Sequence, residues 1–276
     1  MRIIASGPRV ASPRAIAVDG ARVFFEAAGD AVWSTTTTGL DLRILLPPGD
    51  DQRHEASTVQ AAGGHVVTLA RDGSLALTEL DGSRRILDGG PYSAFVAAPE
   101  LVFALRARYG EPLELVAVPY AKNAPETLVT LDADVDAAQL ALSDGFVHVV
   151  PWRVKKGGGK SALRVARSDG AIERWPGFGF VWSGTNGAVI SDGTTMVRFR
   201  DDATIAEPFA PEPPLFARAV ADDDATWVAA IDRFVRVAWD GSQRVIADHL
   251  LDAFAIAVDD HCVYVGTRSS VVRYPK

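Results

Sequence analysis

The two ends of this chain carry the same pattern. Residues 13–25 read Pro-Arg-Ala-Ile-Ala-Val-Asp-Gly-Ala-Arg-Val-Phe-Phe, and residues 252–265 read Asp-Ala-Phe-Ala-Ile-Ala-Val-Asp-Asp-His-Cys-Val-Tyr-Val. Weaker copies lie between, with turn residues near positions 19, 63, 100, 144, 186, 223 and 260. The first and last of these are 241 residues apart over six steps, about 40 per step. That is the period of a four-stranded propeller blade. Each copy runs from an apolar strand through a tight polar turn into a second strand rich in Val, Phe, Tyr and Trp. A third strand, a polar glycine turn and a short fourth strand follow. Asp-Gly and Asn-Gly accept positive φ readily and so suit hairpins. The third-to-fourth turn recurs at Thr38-Gly39, Asp81-Gly82, Asp169-Gly170 and Asp240-Gly241. No segment sustains a 3.6-residue apolar period, so little helix is expected.

The last copy is one strand short. Residues 254–258, 262–265 and 271–274 supply three strands, and Pro275-Lys276 follow. The missing fourth strand has its counterpart at the other end, where residues 2–6 repeat the pattern of residues 244–248. Pairing residues 2–6 beside residues 271–274 removes the free edges that an open ring would leave. The expectation is therefore all-β: one domain over residues 1–276, a seven-bladed β-propeller with four antiparallel strands per blade. Its last blade is closed by the N-terminal strand.

Hydrophobic residues make up 48% of the 276, enough for a substantial core. The net charge of −7 argues against nucleic acid and anionic lipid as partners, and no apolar run is long enough for a membrane helix or a leader peptide. Cys262 is the lone cysteine, which excludes an internal disulfide and a cysteine-based zinc cluster. The compartment stays open: cytoplasmic as the chain reads, or exported if a leader has been removed. A monomer is expected.

Residues 16–20 with 23–25, and residues 256–259 with 263–265 and 272–275, resemble the broad group of bacterial propellers with NHL, YWTD-like or streptogramin-lyase-like repeats. The likeness covers nearly the whole chain and implies a fold. The group includes lyases, lactonases and receptor modules, so it does not by itself assign a reaction. Streptogramin-type lyases use histidine and glutamate with a divalent metal at one mouth of the ring; their catalytic motif is not matched here residue by residue.

In such a ring, the loops between blades and those from second to third strand converge on one mouth. Those loops hold His54, Glu55, Tyr92, Asp132, Asp134, Asp136, Trp182, Phe216, His249 and Asp252, with Arg14 and Arg218 at the start of innermost strands. Arg14, Tyr92, Trp182, Phe216 and Arg218 are the candidate ligand-binding set. His54 beside Glu55, and His249 near Asp252, are the local pairings suited to general base or metal chemistry. Asp132, Asp134 and Asp136 have the 1-3-5 spacing of a calcium loop. However, Ala137 replaces its glycine and Ser143 its final glutamate, so a solvated acidic loop is the competing reading. A calcium or magnesium ion is the one cofactor suggested.

Residues 157–161, Gly-Gly-Gly-Lys-Ser, resemble the end of a phosphate loop, but Val154 stands where its first glycine belongs and no strand-to-helix context exists. Residues 152–160 read instead as a flexible basic hairpin loop. Asp222-Asp223-Asp224 reads as a turn on the opposite mouth, and His65, His148 and His261 as packed or turn residues. The favoured function is a binding propeller that holds a small molecule, peptide or protein at the loop-rich mouth. The alternative is a metal-assisted lyase or hydrolase acting on a small molecule or peptide at the same place.

Overall fold

The computed structural model describes every residue except 28–30, 48–58, 71, 122–123, 157, 159–160, 177–178, 185–186, 192–194, 204–206, 212–217, 231–232 and 251. The chain opens on β1 (Arg2–Ser6) and one short 3₁₀ turn (Pro8–Val10). Blade 1 is β2 (Ala15–Asp19), β3 (Arg22–Ala27), β4 (Ala31–Thr36) and β5 (Arg43–Leu46). Blade 2 is β6 (Val59–Ala62), β7 (His65–Leu69), β8 (Leu75–Thr78) and β9 (Arg84–Asp88). Blade 3 is β10 (Tyr92–Ala97), β11 (Leu101–Arg106), β12 (Glu114–Pro119) and β13 (Glu126–Thr130). Blade 4 is β14 (Val135–Leu142), β15 (Phe146–Val154), β16 (Ser161–Ala166) and β17 (Ile172–Pro176). Blade 5 is β18 (Phe180–Gly184), β19 (Gly187–Ser191), β20 (Thr195–Arg200) and β21 (Glu207–Pro211). Blade 6 is β22 (Arg218–Ala221), β23 (Ala225–Ala229), β24 (Arg233–Ala238) and β25 (Gln243–Asp248). Blade 7 is β26 (Ala255–Val258), β27 (Cys262–Gly266) and β28 (Ser270–Pro275), and β1 completes it.

Closure is as the sequence pattern requires. β1 is antiparallel to β28, with Arg2 opposite Arg273, Ile3 opposite Val272 and Ser6 opposite Ser270. A bulge between Ile3 and Ala5 turns both Ile4 and Ala5 inward. The innermost strands touch in ring order, β2 to β6 and onward to β26, which returns to β2.

Strand alternation explains why the ring holds together. Successive side chains point to opposite faces, and each blade face meets a neighbour. On β27, Val263 and Val265 pack toward blade 6, while Cys262 and Tyr264 pack toward blade 1. Among the described residues each of the seven blade interfaces has its own apolar cluster. The innermost strands are also stitched by amide side chains. Gln60 donates to the Phe95 carbonyl and accepts from the Ala97 N–H, both at 2.9 Å. Gln139 accepts from the Val181 N–H at 3.2 Å.

The third-to-fourth turns carry a second contact between blades. Gly82 has φ 85° and a Cβ there would lie 2.9 Å from the Leu45 carbonyl oxygen; at Gly241, φ 83°, the distance to the Phe209 carbonyl oxygen would be 2.5 Å. Each turn therefore sits directly on the outer strand of the preceding blade. Gly39 of blade 1 makes the same approach to Ile4, 3.0 Å from its Cα. Blade 1 thus treats β1 as the outer strand of the blade before it.

Candidate functional site

The loops leaving the outer strands and those joining second to third strands meet on one mouth. Beneath its rim, between blades 2 and 3, lies a half-buried polar network. The Tyr92 hydroxyl donates to Asp88 Oδ1 at 2.7 Å. Arg106 reaches the Tyr92 oxygen at 3.4 Å and Glu114 Oε2 at 3.2 Å. Tyr92 is 4% exposed, and burial followed by the Asp88 carboxylate pushes its phenol up to about 12. Its ring supports the mouth from below and its hydroxyl stays protonated.

Blade 4 overhangs the mouth because β14 and β15 are its longest strands, eight and nine residues. Their ladder extends to Val135 opposite Val154. The Lys155 N–H then bonds the Asp134 carbonyl and its Nζ the Ala133 carbonyl, both at 2.7 Å. These bonds pin the start of the basic hairpin loop onto the acidic segment. Asp132 pairs with Arg174 at 3.0 Å, Asp134 is half-buried and Asp136 is exposed. Arg153 lies over the Trp152 ring at 5.5 Å. The Gly179 N–H bonds the Pro151 carbonyl at 3.0 Å, which brings Phe180 beside the Trp152 end of β15.

The exposed large hydrophobic side chains sort by place. The aliphatic ones lie on outer strands and their turns: Ile3, Leu40, Leu42, Ile44, Leu80, Ile86, Ile172 and Val245. Among the described residues the aromatic ones are Tyr109 at 106%, Trp152 at 42% and Phe180 at 48%. All three stand at the mouth, on consecutive blades 3, 4 and 5. Trp152 falls in the basic segment noted from sequence, whereas Tyr109 and Phe180 had no such marker. Trp182, one turn of the pleat below Phe180, is half-buried against the cluster between blades 5 and 6.

On the far side of the mouth, Arg218 Nε donates to the Phe254 carbonyl at 3.3 Å. Arg14 is exposed just before β2. Counted from Asp19 and Asp222, each opposite the residue three further on, Arg14 is five residues upstream and Arg218 four. The two arginines are therefore one step out of register. His249 and Asp252 both have positive φ, 59° and 53°, in the loop joining blades 6 and 7. His54, Glu55 and Phe216 lie outside the described residues. Among the described residues no group of three or more His, Cys, Asp or Glu side chains is placed to hold a metal ion.

The opposite mouth is built for structure. Asp222 Oδ2 accepts from Trp227 Nε1 at 2.7 Å and its Oδ1 from two turn amides. Asp259 repeats this with the Tyr264 hydroxyl at 2.7 Å and the amides of His261 and Cys262. In blade 4 the same positions are Ser143 and His148, their side chains 3.2 Å apart. Ser143 Oγ also lies 2.7 Å from Asp201 Oδ1, so a serine, a histidine and an aspartate do come together. The order is wrong for nucleophilic catalysis. The hydroxyl proton goes to Asp201, so His148 donates from Nε2 and cannot receive that proton. No partner orients His148 Nδ1 among the described residues. Burial, and then the Arg164 charge, hold the imidazole down at about 3, and both Ser143 and His148 are buried.

No protein-family model matches the chain, and no curated protein sequence matches it. Solved structures share its fold. YCF48 from Cyanidioschyzon merolae superposes with a TM-score of 0.67 at 11% identity, over 99% of this chain and 98% of that one. YCF48 bound to a D1 peptide gives 0.66 at 11%, over 99% and 96%. A gluconolactonase from Xanthomonas campestris gives 0.60 at 12%, over 99% and 89%. PorZ, a surface component of the type-IX secretion system of Porphyromonas gingivalis, gives 0.66 at 10%; the chain covers 38% of its length. Identities this low establish a shared propeller fold across proteins of differing roles. No helix among the described residues is long and apolar enough to cross a membrane.

Proposed function

We propose that this propeller is a binding module that takes a peptide or protein partner on the mouth of blades 3, 4 and 5. The observation that carries the reading is that Tyr109, Trp152 and Phe180 are all exposed and stand on strand ends and a loop that open to the same mouth, on consecutive blades. Rigid aromatic rings dominate the energetics of recognition surfaces because they bury much area at little entropic cost. Arg153, Lys155 and Lys156 stand exposed or half-exposed around Trp152, giving the apolar centre a polar rim of the kind interfaces have. Arg14, Trp182 and Arg218 extend the surface across the channel, and Tyr92 holds it from beneath. The likeness to YCF48, a propeller solved with a peptide bound, suits this reading.

The test is a peptide array probed with the wild-type chain and with a Tyr109→Ala/Trp152→Ala/Phe180→Ala variant. Binding should be lost in the variant while its thermal midpoint stays within a few degrees of wild type. Equal binding by both proteins would overturn the reading. So would a stoichiometric divalent ion, in protein purified without an affinity tag, that disappears on His249→Ala.

A further inference from the structure

A second concave feature lies on the outer wall, away from the mouth. Between blades 6 and 7 a groove of about 440 Å³ is lined by residues 244–247 of β25 and 274–276 at the end of β28, with Trp227 and Arg236 below and Met1 at the rim. Neighbouring residues of a strand face opposite ways. A groove touched by four in a row therefore reaches the strand's edge, and Trp227 and Arg236 carry it onto the face of blade 6 turned toward blade 7. That edge is free: β25 is the outermost strand of blade 6. Among the described residues, its segment 244–247 makes no backbone hydrogen bond outside the sheet.

Charge then selects what would fit. Arg236 and Arg244 are direct cross-strand partners, and like charges so placed repel. Trp227 is next in the same row, with the Arg236 guanidinium 5.7 Å from its ring centre. The nearby acids are engaged elsewhere. Asp222 holds Lys276 Nζ and Trp227 Nε1, each at 2.7 Å. Asp240 feels the Arg236 charge but is tied chiefly to Ser242. The hydrogen bond Arg236 makes here is to the Asp224 carbonyl, at 3.4 Å. Arg244 is exposed and makes no ion pair among the described residues. A chain of net charge −7 thus keeps one exposed guanidinium, Arg244, without an ion pair among the described residues, with Arg236 behind it, at an open strand edge.

We infer that this groove takes an extended acidic peptide segment, added as a fifth strand alongside β25. Its backbone pairs with the free edge, as in other strand additions. A carboxylate in the row of Arg244 meets that guanidinium, with Arg236 next behind it in the same row, and the intervening apolar side chains lie beside Val245 on the other face of the sheet. This site does not depend on the mouth reading.

The experiment uses the full chain without tags, because both chain ends line the groove. Fluorescein-labelled Val-Glu-Val-Glu-Val-Glu is titrated by anisotropy against wild type, Arg244→Gln, Arg244→Glu and a Trp152→Ala/Phe180→Ala variant. Charge reversal should weaken binding roughly tenfold or more, with Arg244→Gln intermediate, since a close ionic contact carries about that much discrimination. Val-Lys-Val-Lys-Val-Lys should bind Arg244→Glu better than wild type, and the mouth variant should bind the glutamate peptide unchanged. Four outcomes would each overturn the inference. They are equal affinity in Arg244→Glu, loss in the mouth variant, full competition by free glutarate, and a concentration-dependent dimer abolished by Arg244→Glu, which would mean that a second copy covers the groove.

Discussion

Closure of the ring by β1 can be tested at two adjacent residues of identical chemistry. Ile4 is 4% exposed, within the cluster shared by blades 7 and 1, whereas Ile3 is 56% exposed. Truncating a buried isoleucine to alanine removes its transfer energy and leaves a cavity, about 3 kcal/mol together. For a chain of this size each kcal/mol moves the midpoint by about 2 °C, so Ile4→Ala should lower it by roughly 6 °C. Ile3→Ala removes exposed surface and should change stability by about 0.5 kcal/mol or less, a shift near 1 °C. Thermal unfolding followed by far-UV circular dichroism measures both. The comparison rests on strand alternation, which puts adjacent residues on opposite faces; the bulge between Ile3 and Ala5 adds Ala5 to the buried side. Equal shifts, or an inert Ile4→Ala, would show that β1 does not lie in the ring as described.

Two further perturbations address other parts of the fold. Gly241→Ala puts a Cβ against the Phe209 carbonyl at a φ of 83°, while Gly170→Ala has φ 72° and nothing within 4 Å; the second should cost only the backbone strain, about 1 kcal/mol, and the first clearly more, read from urea unfolding midpoints, and equal costs would refute the turn's seat on blade 5. At His148, burial holds the folded imidazole near 3 against an ordinary value of 6.5, so between those pH values the unfolded chain binds the extra proton and stability falls as the solution is acidified. His148→Leu removes that contribution, and the stability gap between wild type and variant should shrink from pH 7 to pH 4 in urea titrations; a constant gap would mean the imidazole is not held neutral.

How much of this was legible beforehand depends on which residues carried the signal. Asp-Gly turns and the repeat at both ends announce blades, because hairpin chemistry is local and positive φ selects few residues. The offset of one strand between the two ends then gives the closure. The aspartate anchors at Asp222 and Asp259 were readable only as turns. Yet Trp227 and Tyr264, each five residues on, donate back to them, a spacing visible in the sequence once its purpose is known. The mouth was harder. Loop membership does not tell which way a ring points: Tyr92 opens an innermost strand and turns under the rim, while Phe180 opens the corresponding strand of blade 5 and faces out. Tyr92 has neighbours brought in by the fold, the Asp88 carboxylate and the cluster between blades 2 and 3, and Phe180 stands outside the corresponding clusters of blade 5. Trp152 stands clear because β15 runs past the length of its neighbours, and strand length is among the least readable quantities in a sequence.

The pairing of β1 with β28 has a consequence for how the protein is made. A ribosome releases residues 2–6 before blades 1 to 6 and their partners at 270–273 after all six. Throughout synthesis the leading strand waits with its hydrogen-bonding groups unmatched, beside six blades that can assemble in succession as they emerge. Locking of the ring is a single late event that joins two segments made on either side of those six blades. A nascent chain stalled before residues 270–273 emerge should be far easier to digest with protease than one in which they have paired with residues 2–6.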